Sequence, residues 1–299
     1  MQKFLIVIIS VLFVSSSWAQ IRDLQTARLN SAAGTGVGSI LMTEGAILNP
    51  ASSAFFTGSG LSYQNTSVSL KGEDPSRDNT DREWKSPRSQ AAFASDHSGD
   101  LKGGMSWQDH RENGFERTRL TAHGAGLLAK NASFGILYRY TDDERPESYS
   151  SQKHKTFHQI VLGSTVIVSE DITFGLVVVD PTKSNKGDER VIGGMQYNIT
   201  ERLAIMGDVG YQPSRSFQSR YLWSAAAQFN PFSDFFIRAG KFYDHITFTE
   251  GSGWGVSWVG PKLGLEFAQK YSEPMSDKNT YLFEKEKITD TTLSVILRI

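Results

Sequence analysis

The chain has 299 residues, a formal net charge of −1 and 39% hydrophobic residues. So balanced a charge leaves no electrostatic footprint for a nucleic acid, which would be held through its phosphates. Without a single Cys there is no disulfide, thiolate metal site, lipid-modified cysteine or cysteine nucleophile.

The chain opens on a secretory signal. Lys3 supplies the positive start, Phe4 to Val14 is apolar apart from Ser10, and Ser17 and Ala19 fill the two small-residue positions of a cleavage site. Residues 1–19 are therefore read as removed, with Gln20 first in the mature chain. The apolar stretch of about 11 residues is too short for a helical anchor, which needs roughly 20. No later segment is apolar and long enough to be a membrane helix.

Residues 20–58 carry no strand pattern. They are rich in small residues, from Ser31-Ala32-Ala33-Gly34-Thr35-Gly36-Val37-Gly38 to Glu44-Gly45-Ala46-Ile47-Leu48-Asn49-Pro50-Ala51-Ser52. The glycines do not make a phosphate loop, because the spacing, the preceding strand and the Lys-Ser/Thr pair are missing.

From residue 59 to 299 the pattern changes to segments of roughly ten residues with period-two alternation, bounded by turn residues. Leu203, Ile205, Val209 and Tyr211 alternate with Ala204, Met206, Asp208 and Gly210. Tyr221, Trp223, Ala225, Ala227 and Phe229 form a similar face, and so do Leu263, Leu265 and Phe267. The last segment puts Leu293, Val295, Leu297 and Ile299 on one side and Thr292, Ser294 and Arg298 on the other. Fourteen such strands are predicted, at 60–70, 89–97, 101–109, 115–129, 132–141, 156–168, 171–180, 189–198, 201–212, 217–229, 233–243, 250–260, 262–271 and 288–299.

Alternation alone also fits a soluble sandwich. The connections discriminate. Short ones, such as Ser98-Gly99-Asp100, Lys130-Asn131 and Ser169-Glu170, alternate with mostly longer polar ones, such as Lys71 to Arg88, Asp142 to Lys155 and Ser272 to Lys287. Short turns at one rim and long loops at the other are the mark of an outer-membrane barrel. An even strand count also returns both chain ends to the short-turn rim. Tyr138, Tyr140, Tyr197, Tyr211, Phe229, Trp254 and Trp258 suit interfacial girdles. The expected fold is all-β: a 14-stranded antiparallel transmembrane β-barrel in the outer membrane of a Gram-negative bacterium. Membrane lipids and lipopolysaccharide would be its neighbours. The alternating charges from Lys71 to Arg88 read as a solvated loop that could touch lipopolysaccharide or divalent ions.

Eight strands close on a side-chain-filled interior, and roughly 16 to 18 leave an aqueous channel. A barrel near the second case leaks unless something fills it. Residues 20–58 are therefore expected to pack into the lumen as a hatch, the alternative being a tail on the periplasmic side. The stretch Gly45 to Ser52 is similar to the Asn-Pro-Ala hatch signature of the FadL family of long-chain fatty-acid transporters. That resemblance implies a hatch built around Asn49, Pro50 and Ala51, and a laterally opening kink in the wall that admits hydrophobic molecules. The leading function is passage of a hydrophobic or amphipathic small molecule, fatty-acid or lipid-like, across or into the outer membrane. Alternatives are a structural barrel forming homo-oligomers that organise lipid or protein neighbours, and a lipase-like barrel enzyme.

Catalysis finds little support. His154 and His158 lie about 13 Å apart on a strand, too far to share one metal ion. Asp109-His110 and Asp244-His245 are candidate acid–base pairs, but no serine stands in a nucleophile-elbow setting. No cofactor and no metal are expected.

An oligomer surface is read from the early strands. On strand one Leu61 and Tyr63 are followed on the same face by Asn65, Ser67 and Ser69. On strand four one face reads Arg117, Arg119, Thr121 and His123, the other Thr118, Leu120, Ala122 and Gly124. An Arg or Lys facing lipid costs about 2–4 kcal/mol at the bilayer midplane. A wall of this kind would sit better against another barrel, with Asn65, Ser67, Ser69, Thr118 and Ala122 as the contact. Otherwise Arg117 and Arg119 lie above the membrane near the loop rim.

Overall fold

The computed structural model describes residues 23–40, 44–71, 88–112, 115–144, 154–185, 187–214, 220–275 and 287–299. The signal stretch and most of the charged run before Arg88 lie outside the described residues.

Among the described residues the chain makes fourteen strands. They are β1 (Gly60–Lys71), β2 (Arg88–Asp96), β3 (Lys102–Glu112), β4 (Phe115–Ala129), β5 (Ala132–Glu144), β6 (His154–Ile167) and β7 (Ile172–Val179). Then follow β8 (Arg190–Thr200), β9 (Leu203–Tyr211), β10 (Tyr221–Phe232), β11 (Phe235–Asp244), β12 (Thr249–Val259), β13 (Leu263–Pro274) and β14 (Lys287–Arg298). Each pairs antiparallel with its sequence neighbour, and β14 pairs with β1 to close the barrel. Closure leaves no strand edge unpaired, the condition a sheet must meet to sit in hydrocarbon.

The period-two pattern decides which way each side chain points. Leu293, Val295 and Leu297 of β14 face outward and exposed, whereas Thr292, Ser294 and Ile296 between them are buried. Several strands run past their predicted ends at the loop rim: β3 to Glu112, β5 to Glu144 and β13 to Pro274. Asp142, Asp143 and Glu144 continue the ladder with β4 although apolar alternation has stopped. Hydrophobicity marks the membrane band, and backbone pairing extends beyond it.

The segment before β1 lies among the inward-facing side chains. Its helix α1 (Ala27–Ser31) is capped by Thr26, whose hydroxyl accepts from the Leu29 N–H at 3.1 Å. It rests against β11 to β14. A second stretch, the 3-10 turn Pro50–Phe55, starts at Asn49 and rests against β3 to β6. Pro at its first position costs no hydrogen bond and presets the backbone angle. Between these pieces Val37 joins Leu137, Val161 and Val177 in a small apolar cluster, with Leu48 packed against it.

Wall glycines let the segment approach this closely. A Cβ at Gly135 would lie 2.6 Å from Ala51 N, and one at Gly240 would lie 2.6 Å from Ala32 O. At Gly163 it would overlap Asn49 Oδ1 and sit 2.8 Å from Pro50 Cδ. These positions sit on opposite sides of the barrel, so both halves of the segment need bare backbone to seat.

Candidate functional site

Asn49, Pro50 and Ala51 stand where the segment meets β5 and β6. Asn49 is buried and its amide makes four contacts, the longest a donation to Ser164 O at 3.4 Å. Nδ2 donates to Val37 O at 2.8 Å and to Thr165 Oγ1 at 3.0 Å, while Oδ1 accepts from Ala51 N at 3.1 Å. One side chain thus ties two parts of the segment to each other and to β6. Ala51 is completely buried, and its carbonyl accepts from Ser133 Oγ at 2.9 Å. The wall contributes bare Gly135 there, where a Cβ would lie 2.6 Å from Ala51 N.

Charged residues hold the rest. Asp208 on β9 accepts the N–H groups of Gly36 at 2.8 Å and Val37 at 3.1 Å. Arg28 on α1 lies 3.1 Å from Glu266 of β13 and 3.7 Å from Glu44 of the segment itself. Burial disfavours the Arg28 cation, but Glu44 and Glu266 outweigh it and hold its pKa above the usual value. Asn30 donates to Thr292 at 2.9 Å, and Thr121 donates to Ala46 O at 2.9 Å. Near the loop rim Asp23 reaches Arg117 at 3.0 Å and Arg119 at 2.9 Å. At the other end Lys102 donates to the Phe56 carbonyl.

Arg117 and Arg119 correct one expectation. They do not face lipid; both point inward and are buried. The β4 alternation places Leu120 and Ala122 outward instead, with Thr118 part-buried on the same face. Asn65, Ser67 and Ser69 do point outward and are exposed on β1.

The histidines are not brought together. His158 bonds Tyr138 Oη at 2.5 Å on the outer face, and His154 stands 4.0 Å from Asp142. Asp109 and His110 lie on opposite faces of β3. Asp244 accepts from the Ile246 and Thr247 N–H groups, and His245 stacks on Tyr221 at 5.5 Å. Sequence reasoning passed over a serine–histidine contact: Ser53 Oγ lies 2.9 Å from His123 Nε2. His123 Nδ1 has no partner among the described residues, and the adjoining cavity, about 10 Å³, holds no more than a water. A triad needs a third group to orient the imidazole and room for an acyl group, so this pair is a packing contact.

Outside the wall lies a larger feature. Six neighbouring strands from β14 round to β5 form an apolar concavity of about 690 Å³. Its floor includes Ala94 and Ala122, and its sides Leu61, Tyr63, Trp107 and Tyr138. A barrel is normally convex outside; here the short alanines of β2 and β4 leave a dent between longer side chains. The pairing of β2, β3 and β4 beneath it runs without register shift. The described shifts fall near the short turns, in β4–β5, β8–β9 and β10–β11. Among the described residues, the kink in the wall implied by the family resemblance is therefore not present as a register shift beneath this concavity.

No protein-family model matches the chain, and no curated protein matches its sequence. Solved structures do match. The CymD monoaromatic hydrocarbon channel aligns with a TM-score of 0.67 at 11% identity, covering 92% of this chain and 97% of that one. The toluene transporter TbuX of Ralstonia pickettii gives 0.66 at 11% identity, over 92% and 98% of the two chains. The toluene transporter TodX of Pseudomonas putida gives 0.64 at 10% identity, over 94% and 99%. The chain has the fold of these channels. At such identities the likeness extends to architecture, and the chemistry of the lumen has to be argued from this chain's own residues.

Proposed function

We propose that the protein is an outer-membrane barrel of a Gram-negative bacterium that passes hydrophobic or amphipathic small molecules across or into that membrane. The apolar concavity on the outer wall carries the reading. An apolar solute gains about 25 cal/mol for each Å² of its surface taken out of water. Lipid offers the same gain, so the groove in the lipid-facing wall adds shape to it: it can seat an apolar solute and has nothing to offer a sugar. The hydrocarbon channels of the same fold support the choice. In this reading residues 1–19 are a signal peptide, residues 20–58 a hatch turning at Asn49, Pro50 and Ala51, and residues 59–299 the barrel wall. The test uses vesicles with lipopolysaccharide in their outer leaflet, with and without the protein. Toluene or a fatty-acid tracer should enter faster with the protein, and glucose should not. Free entry of glucose without acceleration of either apolar tracer would overturn it.

A second reading, a homo-oligomer, is favoured by one observation. Asn65, Ser67 and Ser69 expose polar side chains on the wall beside the concavity, and small Ala122 lies on its floor. Small polar residues let membrane segments approach closely. Repeated contacts of one kind would close into a symmetric ring, with lipid held between barrels. The mass in mild detergent decides: a multimer in the wild type, and dissociation with Ser67→Trp or Ala122→Trp.

A further inference from the structure

The apolar belt on the outer wall is not of one height around the barrel. On β9 the outward positions Leu203, Ile205, Gly207, Val209 and Tyr211 carry no charge and no short polar side chain. The same holds on β10 for Tyr221, Trp223, Ala225, Ala227 and Phe229. At about 3.4 Å per residue and a tilt of about 40°, the β9 run covers about 20 Å of height. That is most of the roughly 25 Å that an outer-membrane belt spans.

Across β1 to β3 the outer face turns polar early. On β1 Leu61 and Tyr63 give way to Asn65, Ser67 and Ser69, and on β2 Ala94 and Ala92 give way to Gln90 and Arg88. On β3 Met105 and Trp107 give way to Asp109 and Arg111. The change falls in register, because Gln90 pairs with both Asn65 and Asp109, and Arg88 with both Ser67 and Arg111. Counted from Gly60 to Gln64, the apolar part of β1 has about 10 Å of height. The polar row continues as Thr118 on β4 and Asp142 on β5. Beside it Arg111 reaches Asp109 at 3.3 Å and Glu116 at 2.8 Å, with its side chain 46% exposed. Charges at this level are costly in hydrocarbon, and the core of a protein contact is depleted of them. Headgroups and water suit them.

A belt shorter than the bilayer is met by thinning of the bilayer, at a modest cost for each ångström of mismatch. We infer that the wall thins the membrane beside β1 to β3, drawing outer-leaflet headgroups and water down to the row of Asn65, Gln90 and Asp109. Tyr63, Ala92 and Trp107, two residues away on the same strands, line the apolar concavity. The polar row thus borders the concavity on its loop-rim side, and a solute arriving from outside crosses little hydrocarbon to reach it. The thinning stands on the belt alone; only its use in solute entry rests on the transport reading.

The chain has no Cys, so one introduced cysteine carries a spin label on the full mature protein. In palmitoyl-oleoyl phosphatidylcholine vesicles, collision with oxygen marks hydrocarbon and collision with a water-soluble nickel chelate marks headgroups and water. Asn65→Cys lies five residues beyond Gly60, the start of β1, and Val209→Cys six beyond Leu203, the start of β9. In a flat bilayer the β1 label is the deeper and sees less nickel. Thinning reverses the order, with nickel collision several-fold higher at 65 than at 209. A label at 65 that meets mainly oxygen would overturn the inference, even where toluene entry is accelerated and the transport reading stands. A label at 65 shielded from both reagents would also overturn it, in favour of a second barrel covering the face. The reversed order with toluene entering no faster than into empty vesicles would leave the thinning and remove the transport reading. If either variant does not fold, Ser67→Cys against Tyr211→Cys, seven and eight residues along the same strands, gives the same comparison.

Discussion

Gly163→Ala probes the seat of the N-terminal segment with one methyl group. Gly163 faces inward on β6 opposite Gly135 of β5, and an added Cβ would overlap Asn49 Oδ1 and lie 2.8 Å from Pro50 Cδ. Neither neighbour can swing aside. Asn49 is held by donation to Val37 O at 2.8 Å and to Thr165 Oγ1 at 3.0 Å, and the Pro50 ring is fixed to the backbone. Inserting a methylene-sized group into a packed site costs about 1–3 kcal/mol. Losing the two Asn49 amide bonds adds about 1 kcal/mol each. The total of about 3–5 kcal/mol raises the unseated population by roughly two to four powers of ten. The barrel itself should persist, because both neighbouring ladders keep their backbone bonds and Ala suits a strand better than Gly by about 0.5–1 kcal/mol. Gly193→Ala on β8 is the matched control, since a Cβ there meets nothing within 4 Å. Planar-bilayer conductance should rise for Gly163→Ala and stay at the wild-type level for Gly193→Ala. Identical traces and melting temperatures for the two variants would refute the steric argument.

Deleting residues 20–54 should raise conductance sharply with the barrel still heat-modifiable and strand-rich, and Asn49→Ala with Pro50→Ala should give a weaker form of the same change. Unaltered conductance in the deletion would place the hatch role in error. Arg28→Met strands Glu44 and Glu266 without their shared cation and should cost about 3–5 kcal/mol in thermal unfolding; adding Glu266→Gln should restore part of that loss. Asp180 tests pH dependence outside the membrane band. Desolvation raises its pKa, but the N–H groups of Asn185 and Ser184, with the Ser184 hydroxyl, outweigh that and leave it lowered. A lowered carboxyl stabilises above its unfolded pKa of about 4, and the contribution fades as pH falls through the lower folded value. Exchange protection of the Ser184 and Asn185 amides should therefore hold from pH 7 to 5, fall below about pH 4, and be lost at pH 7 in Asp180→Asn. Protection in that variant equal to wild type would show that the carboxylate does not hold the loop.

The wall was legible in the sequence because its physics is local. Period-two alternation and the sorting of turns from loops follow from a strand having one face in hydrocarbon and one in the lumen. Hence the strand count, the closure and the outward placing of Asn65, Ser67 and Ser69 could all be read from residues a few positions apart. Asn49-Pro50-Ala51 stood out only through its likeness to the Asn-Pro-Ala hatch signature; that Asn49 caps a turn starting on Pro50 came from the structure.

Which residues meet on the inner side of the wall is not local, and only the tertiary structure decided it. Alternation says that Arg117, Arg119 and Thr121 share a face of β4, but it does not say which face. Outward they would have met lipid; inward they meet Asp23, brought there by a segment with no period of its own. Arg28 and Glu266 are 238 residues apart, and no spacing rule links them. The glycines at Gly135, Gly163 and Gly240 look in sequence like ordinary strand interruptions. They acquire a purpose only once closure sets the wall at its distance from the segment, where bare backbone can be approached and a Cβ cannot. Strand pairing fixes faces residue by residue, whereas the contents of a lumen depend on the whole circumference at once.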